Sequence, residues 1–478
     1  MLSKPGKFDF MKLNTSPDVL IIGGGINGIG IARELAFRGV SVLLVEKNDL
    51  CSGTSSQSSK LVHGGIRYLE HGDFSLVADA CRERYYLTQI APHLVSIQPF
   101  ILPIYKSDKR TPWMIRIGLV LYELLALNRR LGHNHMMPIA DALLKEPLLR
   151  SEGLVGAAEY FDGKMDDARL GIELAMQART LGAQILTYTP VIACESSATP
   201  SAALDIDGTV VTITPKIIVN AAGPWADQIL SMTGRQGDRI LKPTQGIHLI
   251  TRPLVSTHAL LISAASDNRV LFVIPHGNYS IVGTTDTPYS GDPDWVRADT
   301  DDIRYLITEI ERVFNINIVP SDIYATFSGL RPLVNSPQDN PAKMSRDHHL
   351  IRHTDTFFSI IGGKYTTFRS MSEDVAKAVM HSLGIPFSKS TKNLKLPQGS
   401  EPTVRYCIKH EFARHIGDYL RRRTDSFFKE GNGLDRVADV AREFADVLGW
   451  TDAQVTDEIE SYRDQVQLMH TEIERAWG

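Results

Sequence analysis

The sequence predicts an α/β protein: a parallel-sheet domain assembled from discontinuous segments, an inserted and mainly antiparallel sheet domain, and a small helical C-terminal cap. Three observations carry that reading. A short apolar strand, DVLII at 18–22, runs directly into GGGINGIG. Four β-rich runs between Ile240 and Thr287 (HLITRPL, ALLIS, RVLFVIP and YSIVGTTD) alternate with turn signals. Beyond Pro386 a linker-like stretch, STKNLKLPQGSEPT, gives way to charged residues in helical pattern over 404–478.

The first strand leads into a helix from Asn27 to Arg38 that Gly39 ends, then into a buried strand from Val40 to Val45 with Glu46 at its tip. Strand, glycine turn, helix and strand form a βαβ unit, the start of a parallel sheet. Residues 166–181 (DDARLGIELAMQARTL) have helical apolar spacing with a Gly182 stop, and strands at Gln184–Tyr188 and Lys216–Asn220 follow. The second of these enters NAAGPW, where small residues let backbone approach a ligand. FFSIIGGKYTTFR at 357–369 reads as strand, glycine turn and the start of a helix, a return to the parallel sheet. These signals place the parallel domain at 17–95, 151–238 and 326–385, the antiparallel one at 96–150 and 239–325, and the cap at 386–478.

A length of 478 residues suits about three domains, and 43% hydrophobic with 22% charged residues is the composition of a folded chain with ample core. A net charge of −4 leaves no footprint for nucleic acid. The cysteines, Cys51, Cys81, Cys194 and Cys407, lack C-x-x-C spacing, which argues against a disulfide framework or metal site and for a reducing, cytoplasmic compartment. The N-terminal residues lack an apolar signal region. The longest apolar stretch, Ile117 to Leu127, falls short of the roughly 20 residues that span a bilayer.

Gly23-x-Gly25-x-x-Gly28 sits between strand and helix. Gly23 allows the tight turn, Gly25 lets backbone reach a pyrophosphate and Gly28 lets helix and strand pack. Ile26 and Asn27 lie at the entry to the helix, whose N-terminus offers N–H groups and partial positive charge to phosphates. Glu46 is placed to accept from an adenosine ribose. A dinucleotide binds here. The following loop, Thr54 to Tyr68 (TSSQSSKLVHGGIRY), brings the hydroxyls of Thr54, Ser55, Ser56 and Ser59 together with Lys60, His63 and Arg67. That favours a flavin over a nicotinamide, although a solvated loop shares the composition.

GGGINGIGIARELAFRG, SSQSSKLVHGGIRYLEHGDF, YFDGKMDDARL, NAAGPWADQI, RVLFVIPHGNYSIVGTTDT, FSGLRPL, SRDH and GGKYTTFR occur in the order found in FAD-dependent glycerol-3-phosphate dehydrogenases. The sequence resembles these D-amino-acid-oxidase-like flavoproteins over residues 17–385. The resemblance implies a Rossmann-like domain holding noncovalent FAD, with Val191, Ala222, Gly223, Gly363, Lys364, Thr366 and Thr367 joining the cofactor contacts. It implies sn-glycerol 3-phosphate as substrate, a quinone as acceptor, no metal, and a peripheral position on the inner face of the cytoplasmic membrane. A homodimer is compatible with it.

Oxidising a secondary alcohol needs a base for the hydroxyl proton, a hydride path and positive charge for a phosphate. Arg67, Arg331, Arg346 and Lys364 match the family's cationic positions and Tyr68 adds a hydroxyl, although each cation alone also fits a structural ion pair. His63 and His248 are the candidate bases, and Arg331 is a candidate for polarising the hydroxyl. His248 closes Gln245-Gly246-Ile247-His248, where the family pattern has a lysine in place of Gln245. The missing charge keeps another small anionic hydroxy or amino acid open as substrate. A flavin-binding protein without turnover is the reading from a different class, and the cationic set argues against it. Asp286 either orients a pocket residue or caps a turn. Covalent flavin attachment at Cys51 or His63 runs against the family's habit. Arg110 to Arg130 (RTPWMIRIGLVLYELLALNRR) fits an interfacial helix or a buried one equally. Arg421-Arg422-Arg423 reads as a solvated or lipid-facing patch, and the chain joining GGKYTTFR to the cap looks shorter than the family's.

Overall fold

In a computed structural model the protein is described at residues 2–4, 7–8, 10–235, 239–335, 348–399 and 401–477. A ribbon of β1 (Leu2–Lys4) and β2 (Lys7–Phe8) precedes β3 (Val19–Ile22), α1 (Ile26–Phe37) and β4 (Val42–Val45). Next come β5 (Leu61–Val62), α2 (Phe74–Ile90), β6 (Val95–Tyr105), α3 (Pro112–Ala126), β7 (His135–Met137), α4 (Ile139–Lys145) and β8 (Leu154–Met165). α5 (Asp167–Thr180), β9 (Gln184–Leu186), β10 (Val191–Glu195), β11 (Ser201–Ile206), β12 (Thr209–Ile213), β13 (Ile217–Asn220) and α6 (Ala226–Met232) follow. Then come β14 (Thr244–Thr251), β15 (Ala259–Ser263), β16 (Val270–His276), β17 (Tyr279–Gly283), β18 (Thr287–Pro288), α7 (Thr300–Val313) and β19 (Ile323–Arg331). The chain closes through β20 (His348–Arg352), β21 (Phe357–Gly362), α8 (Phe368–Ser382) and the cap helices α9 (Val404–His410), α10 (Ile416–Asp418), α11 (Val437–Leu448) and α12 (Asp452–Arg475).

Six strands in the order β20-β21-β13-β3-β4-β9 form the first sheet, parallel except for the edge strand β20. β3 and β4 are continuous apolar runs, VLII and VLLV, because both faces of this sheet are covered. α1, α5 and α8 pack on one face. The small sheet β10–β11–β12 and α6 cover the other. Gly30 lets α1 and α8 approach closely: a Cβ there would stand 2.3 Å from Ser372 Oγ. Asp166 caps α5 by accepting from the Arg169 N–H at 3.1 Å, which is why DDAR starts that helix.

The second sheet has ten strands, β18-β14-β17-β16-β15-β6-β8-β5 with β19 on β14 and β7 on β8. Its pairing is antiparallel apart from β6 with β15. Membership of this sheet moves two expected boundaries. β8 begins at Leu154 and pairs with β6 along its whole length, from Val95↔Met165 to Tyr105↔Leu154, so the chain returns to the parallel sheet at α5 rather than at 151. β19 runs to Arg331 beside β14, so the last return comes after residue 331 rather than at 326.

The cap is tied down by buried charge. Arg423, on a turn after α10, donates to the Asp49 carboxylate next to β4, and Arg169 of α5 donates to Glu411 at 2.7 and 2.9 Å. Arg422 also bonds Asp49, at 2.5 Å, and Asp418 at 2.7 Å. The basic run at 421–423 is therefore not a solvated patch. Two of its three guanidinium groups lock the cap to the first domain.

Candidate active site

A long groove begins at the β3–α1 turn and ends beneath the second sheet. Gly23 turns the chain with φ +114°, and a Cβ there would stand 2.5 Å from the Ala221 carbonyl oxygen. Gly28 lies below the groove rather than in it, since its Cβ position is 1.9 Å from the Gly23 oxygen and only hydrogen lets α1 rest on the turn. The Ile26 N–H at the start of α1 donates to Ser55 Oγ at 2.8 Å, which fixes the hydroxyl loop against the helix N-terminus. Glu46, at the tip of β4, accepts from the N–H groups of Gly24 at 2.6 Å and Asn48 at 2.9 Å, so its carboxylate is held at the groove's rim. Gly25, Ile26, Asn27, Thr54, Ser55 and Ser59 line the groove, as do Val191, Ala222, Gly223, Gly363 and Thr366. Small residues on three separate segments, Gly23–Gly25, Ala221–Gly223 and Gly362–Gly363, thus leave an extended channel for a dinucleotide.

His248 stands on β14 at the far end. It is buried, stacked on Phe327 at 4.7 Å between ring centroids, and its Nε2 is 2.8 Å from Ser59 Oγ. Gly283, its register partner on β17, makes room, because a Cβ there would lie 2.3 Å from the imidazole. Burial, then the charges of Arg331 and Lys60, push the His248 pKa down to about 3, so the ring is neutral. Arg331, at the end of β19, lies across Gly246, whose Cβ would be 2.5 Å from the guanidinium. It donates to Asp286 Oδ1 at 3.1 Å and to Thr284 Oγ1 at 3.0 Å, so Asp286 orients this arginine. Lys364 Nζ sits 3.7 Å from the centre of the Tyr68 ring, and Arg67 donates to the Tyr68 hydroxyl at 3.1 Å. His63, Arg67, Tyr68, His248, Arg331 and Lys364 all line this end.

Other expected residues lie elsewhere. Lys60 is buried in an ion pair with Asp167, and Ser56 lines a different cavity on the other side of the loop. Thr367 is buried at the start of α8 with its hydroxyl donating to the Lys364 carbonyl at 3.2 Å, outside the groove lining. Arg346 lies outside the described residues. Cys51 is buried outside the groove lining, with its thiol pushed up by burial. Gln245 is a second surprise. Successive residues of a strand face opposite sides, so with Gly246 and His248 on the groove its amide turns away and donates to the Arg297 carbonyl.

The structure also brings in residues that the sequence did not single out. Trp225 and Lys47 close the ribose end: Trp225 Nε1 donates to Asp294 at 2.9 Å and Lys47 reaches the same carboxylate at 2.5 Å. The string NAAGPW carried the signal for Trp225; nothing local marked Asp294. Among the described residues no group of three His, Cys, Asp or Glu side chains could hold a metal ion.

Comparison with known proteins converges on the same assignment. Residues 18–360 match the FAD dependent oxidoreductase family model, and residues 368–455 match the C-terminal domain of alpha-glycerophosphate oxidase. Glycerol-3-phosphate dehydrogenase of Pseudomonas tolaasii is 40% identical over 81% of this chain and 76% of its own. The enzyme of that name from Synechocystis is 30% identical over 95% of this chain and 97% of its own. The structure of glycerol-3-phosphate dehydrogenase from Bacillus halodurans complexed with FAD superposes with a TM-score of 0.77 at 25% identity, covering 96% of both chains. Glycine oxidase from Geobacillus kaustophilus, with a TM-score of 0.60 at 21% identity, covers 81% of this chain and 100% of its own and shares the fold. With a glycine-walled dinucleotide groove, a cationic end and relatives matched over three quarters or more of their own length, the chain belongs to the FAD-dependent glycerol-3-phosphate dehydrogenases.

Proposed function

We propose that the protein oxidises sn-glycerol 3-phosphate to dihydroxyacetone phosphate. The observation that carries this reading is the convergence of Arg67, Arg331 and Lys364 with a neutral, buried His248 at one end of the groove. The alcohol loses a hydride from its central carbon and a proton from its hydroxyl. Bound FAD supplies the two-electron acceptor for that hydride. Guanidinium and ammonium groups suit a phosphate monoester, with Arg331 placed to stabilise the developing alkoxide. His248 is a poor proton acceptor because it is buried and the Arg331 and Lys60 charges stand near it. A phosphate dianion arriving at the cationic end offsets the Arg331 charge and raises the proton affinity of His248 when substrate is in place. His63 and Tyr68 complete the wall around the reacting centre. Adding glycerol 3-phosphate to the FAD-loaded protein without oxygen should bleach the flavin band. Bleaching by a small hydroxy or amino acid instead, with none by glycerol 3-phosphate, would overturn the assignment.

We further infer that the electrons leave to a membrane quinone and that the protein lies on the bilayer surface through α3. No helix among the described residues is long and apolar enough to cross a membrane. Support comes from one face of α3, where Trp113, Ile117 and Leu124 are 63%, 51% and 61% exposed while Leu119 and Tyr122 anchor the opposite face. Apolar residues at that spacing with arginines at both ends suit an interfacial helix. Sedimentation with anionic vesicles should be lost in Ile117→Glu/Leu124→Glu, and retained binding in that variant would remove α3 from the contact.

A further inference from the structure

A cavity of about 240 Å3 separates the cap from the second sheet on the side of the hydroxyl loop opposite the flavin groove. It is smaller than the roughly 300–1,000 Å3 that takes a drug-sized ligand. Its walls mix polar and apolar surface, the apolar part coming mainly from Val296, Phe427, Phe428, Leu468 and Met469. Four charged side chains also stand in the lining: Arg297, Arg421, Arg422 and Glu472. Two are satisfied. Arg422 bonds Asp49 and Asp418, and Glu472 accepts from Arg475 at 3.0 Å. Arg421 is not: it lies 3.8 Å over the Phe427 ring, its Nε is buried without a hydrogen-bond partner, and among the described residues no carboxylate bridges it. Arg297 is exposed at the cavity's rim, with the Trp295 ring 5.9 Å from its guanidinium, and adds a second, solvated positive charge there.

A guanidinium stays charged at any physiological pH, and leaving one partly buried beside aromatic walls without a counter-charge is costly. Burial, then the neighbouring Arg422 charge, lowers the Arg421 pKa to about 10. An anion in the cavity removes that cost, and the apolar part of the walls selects one that carries a hydrocarbon body. We propose that the cavity is a second ligand site for a small amphipathic anion, a carboxylate or phosphate monoester with a short apolar chain, its charge on Arg421 and Arg297 and its body against Phe427, Phe428 and Leu468. The site adjoins the reaction without being part of it. Gln57 borders both this cavity and the flavin groove, and Phe327, which lines the cavity, carries His248 on its ring.

The test is calorimetric titration of the FAD-loaded protein with hexanoate, with hexan-1-ol and acetate as the neutral and short controls. Hexanoate should bind at least tenfold more tightly than either control, without displacement by glycerol 3-phosphate. Arg421→Gln, which removes the charge, and Leu468→Trp, which fills the cavity and leaves the charge, should each weaken hexanoate at least tenfold while FAD content and the KM for glycerol 3-phosphate stay as in the parent. If Arg421→Gln does not fold, Leu468→Trp decides. Millimolar hexanoate without measurable binding, equal binding of hexan-1-ol, displacement by glycerol 3-phosphate, or unchanged affinity in Leu468→Trp each overturns the proposal.

Discussion

His248 owes its neutrality to where it stands, buried on β14 with Arg331 and Lys60 near enough to repel a proton. Its folded pKa is about 3 against an ordinary 6.5, so the unfolded chain takes up a proton that the folded one refuses. The stability this confers is therefore full above pH 6.5 and is lost as pH falls from there towards 3. Between pH 7 and 5 it amounts to about 2 kcal/mol. Urea unfolding of the FAD-loaded protein at both pH values should show the parent losing that much more than His248→Asn; equal losses would mean that His248 is protonated in the folded state. Arg331 belongs to the same scale. Arg331→Gln keeps the donor to Thr284 but removes the charge, and should raise the KM for glycerol 3-phosphate roughly ten- to hundredfold, the range of about 1.5–3 kcal/mol for a charged hydrogen bond. An unchanged KM would take Arg331 out of phosphate binding.

At the scale of elements, the β3–α1–β4 unit depends on one hydrogen atom. The Cβ of Gly28→Ala would stand 1.9 Å from the Gly23 oxygen, so α1 must lift from the turn that shapes the groove. The variant should purify without FAD and lose about 1–3 kcal/mol of stability or more, the usual cost of overpacking; full FAD content would show that the helix shifts freely. This unit was legible in the sequence because its signals are local: an apolar run, glycines at fixed offsets, and an acidic residue at the next strand's tip. Lys60 was not. Nothing in SSQSSKLVH says that its ammonium turns to Asp167, a residue 107 positions away. The orientation of Gln245 was hidden for a related reason, since the alternation that turns it from the groove depends on β14 lying between β18 and β19 at that position. The expected boundaries at 151 and 326 place β8 and the greater part of β19 with the parallel domain, because a strand's partner is a long-range fact, whereas its apolar pattern is a short-range one.

Across the whole molecule the cap and the first domain are joined by Asp49 and Arg423, each about 1% exposed. Removing Arg423 takes one of two guanidinium partners from the buried Asp49 carboxylate, which Arg422 still bonds at 2.5 Å, so the cost falls below the roughly 3–5 kcal/mol of a buried charge left wholly unpaired. Arg423→Met should therefore unfold at lower urea and become cleavable by trypsin in the linker at Lys389, Lys392 and Lys395. Asp49→Leu/Arg423→Met should recover most of that loss, since an apolar pair of similar volume often matches a buried ion pair. If the double variant is no better than the single one, the pair is not what holds the cap. The basic triplet that supplies Arg423 gave no hint of this in sequence, where three successive arginines look like a surface patch.

The strand order of the first sheet sets a timetable for synthesis. β3 lies between β4, which leaves the ribosome almost at once, and β13, whose Ile217 pairs with Val19 across 198 residues. At about 5–20 residues per second the nascent chain carries a wholly apolar strand with one bare edge for roughly 10–40 seconds. β21 joins later still, at Phe357. A newborn chain of this protein is thus exposed to wrong partners through much of its own translation, and a helper that shields that edge would decide how much of it reaches the flavin.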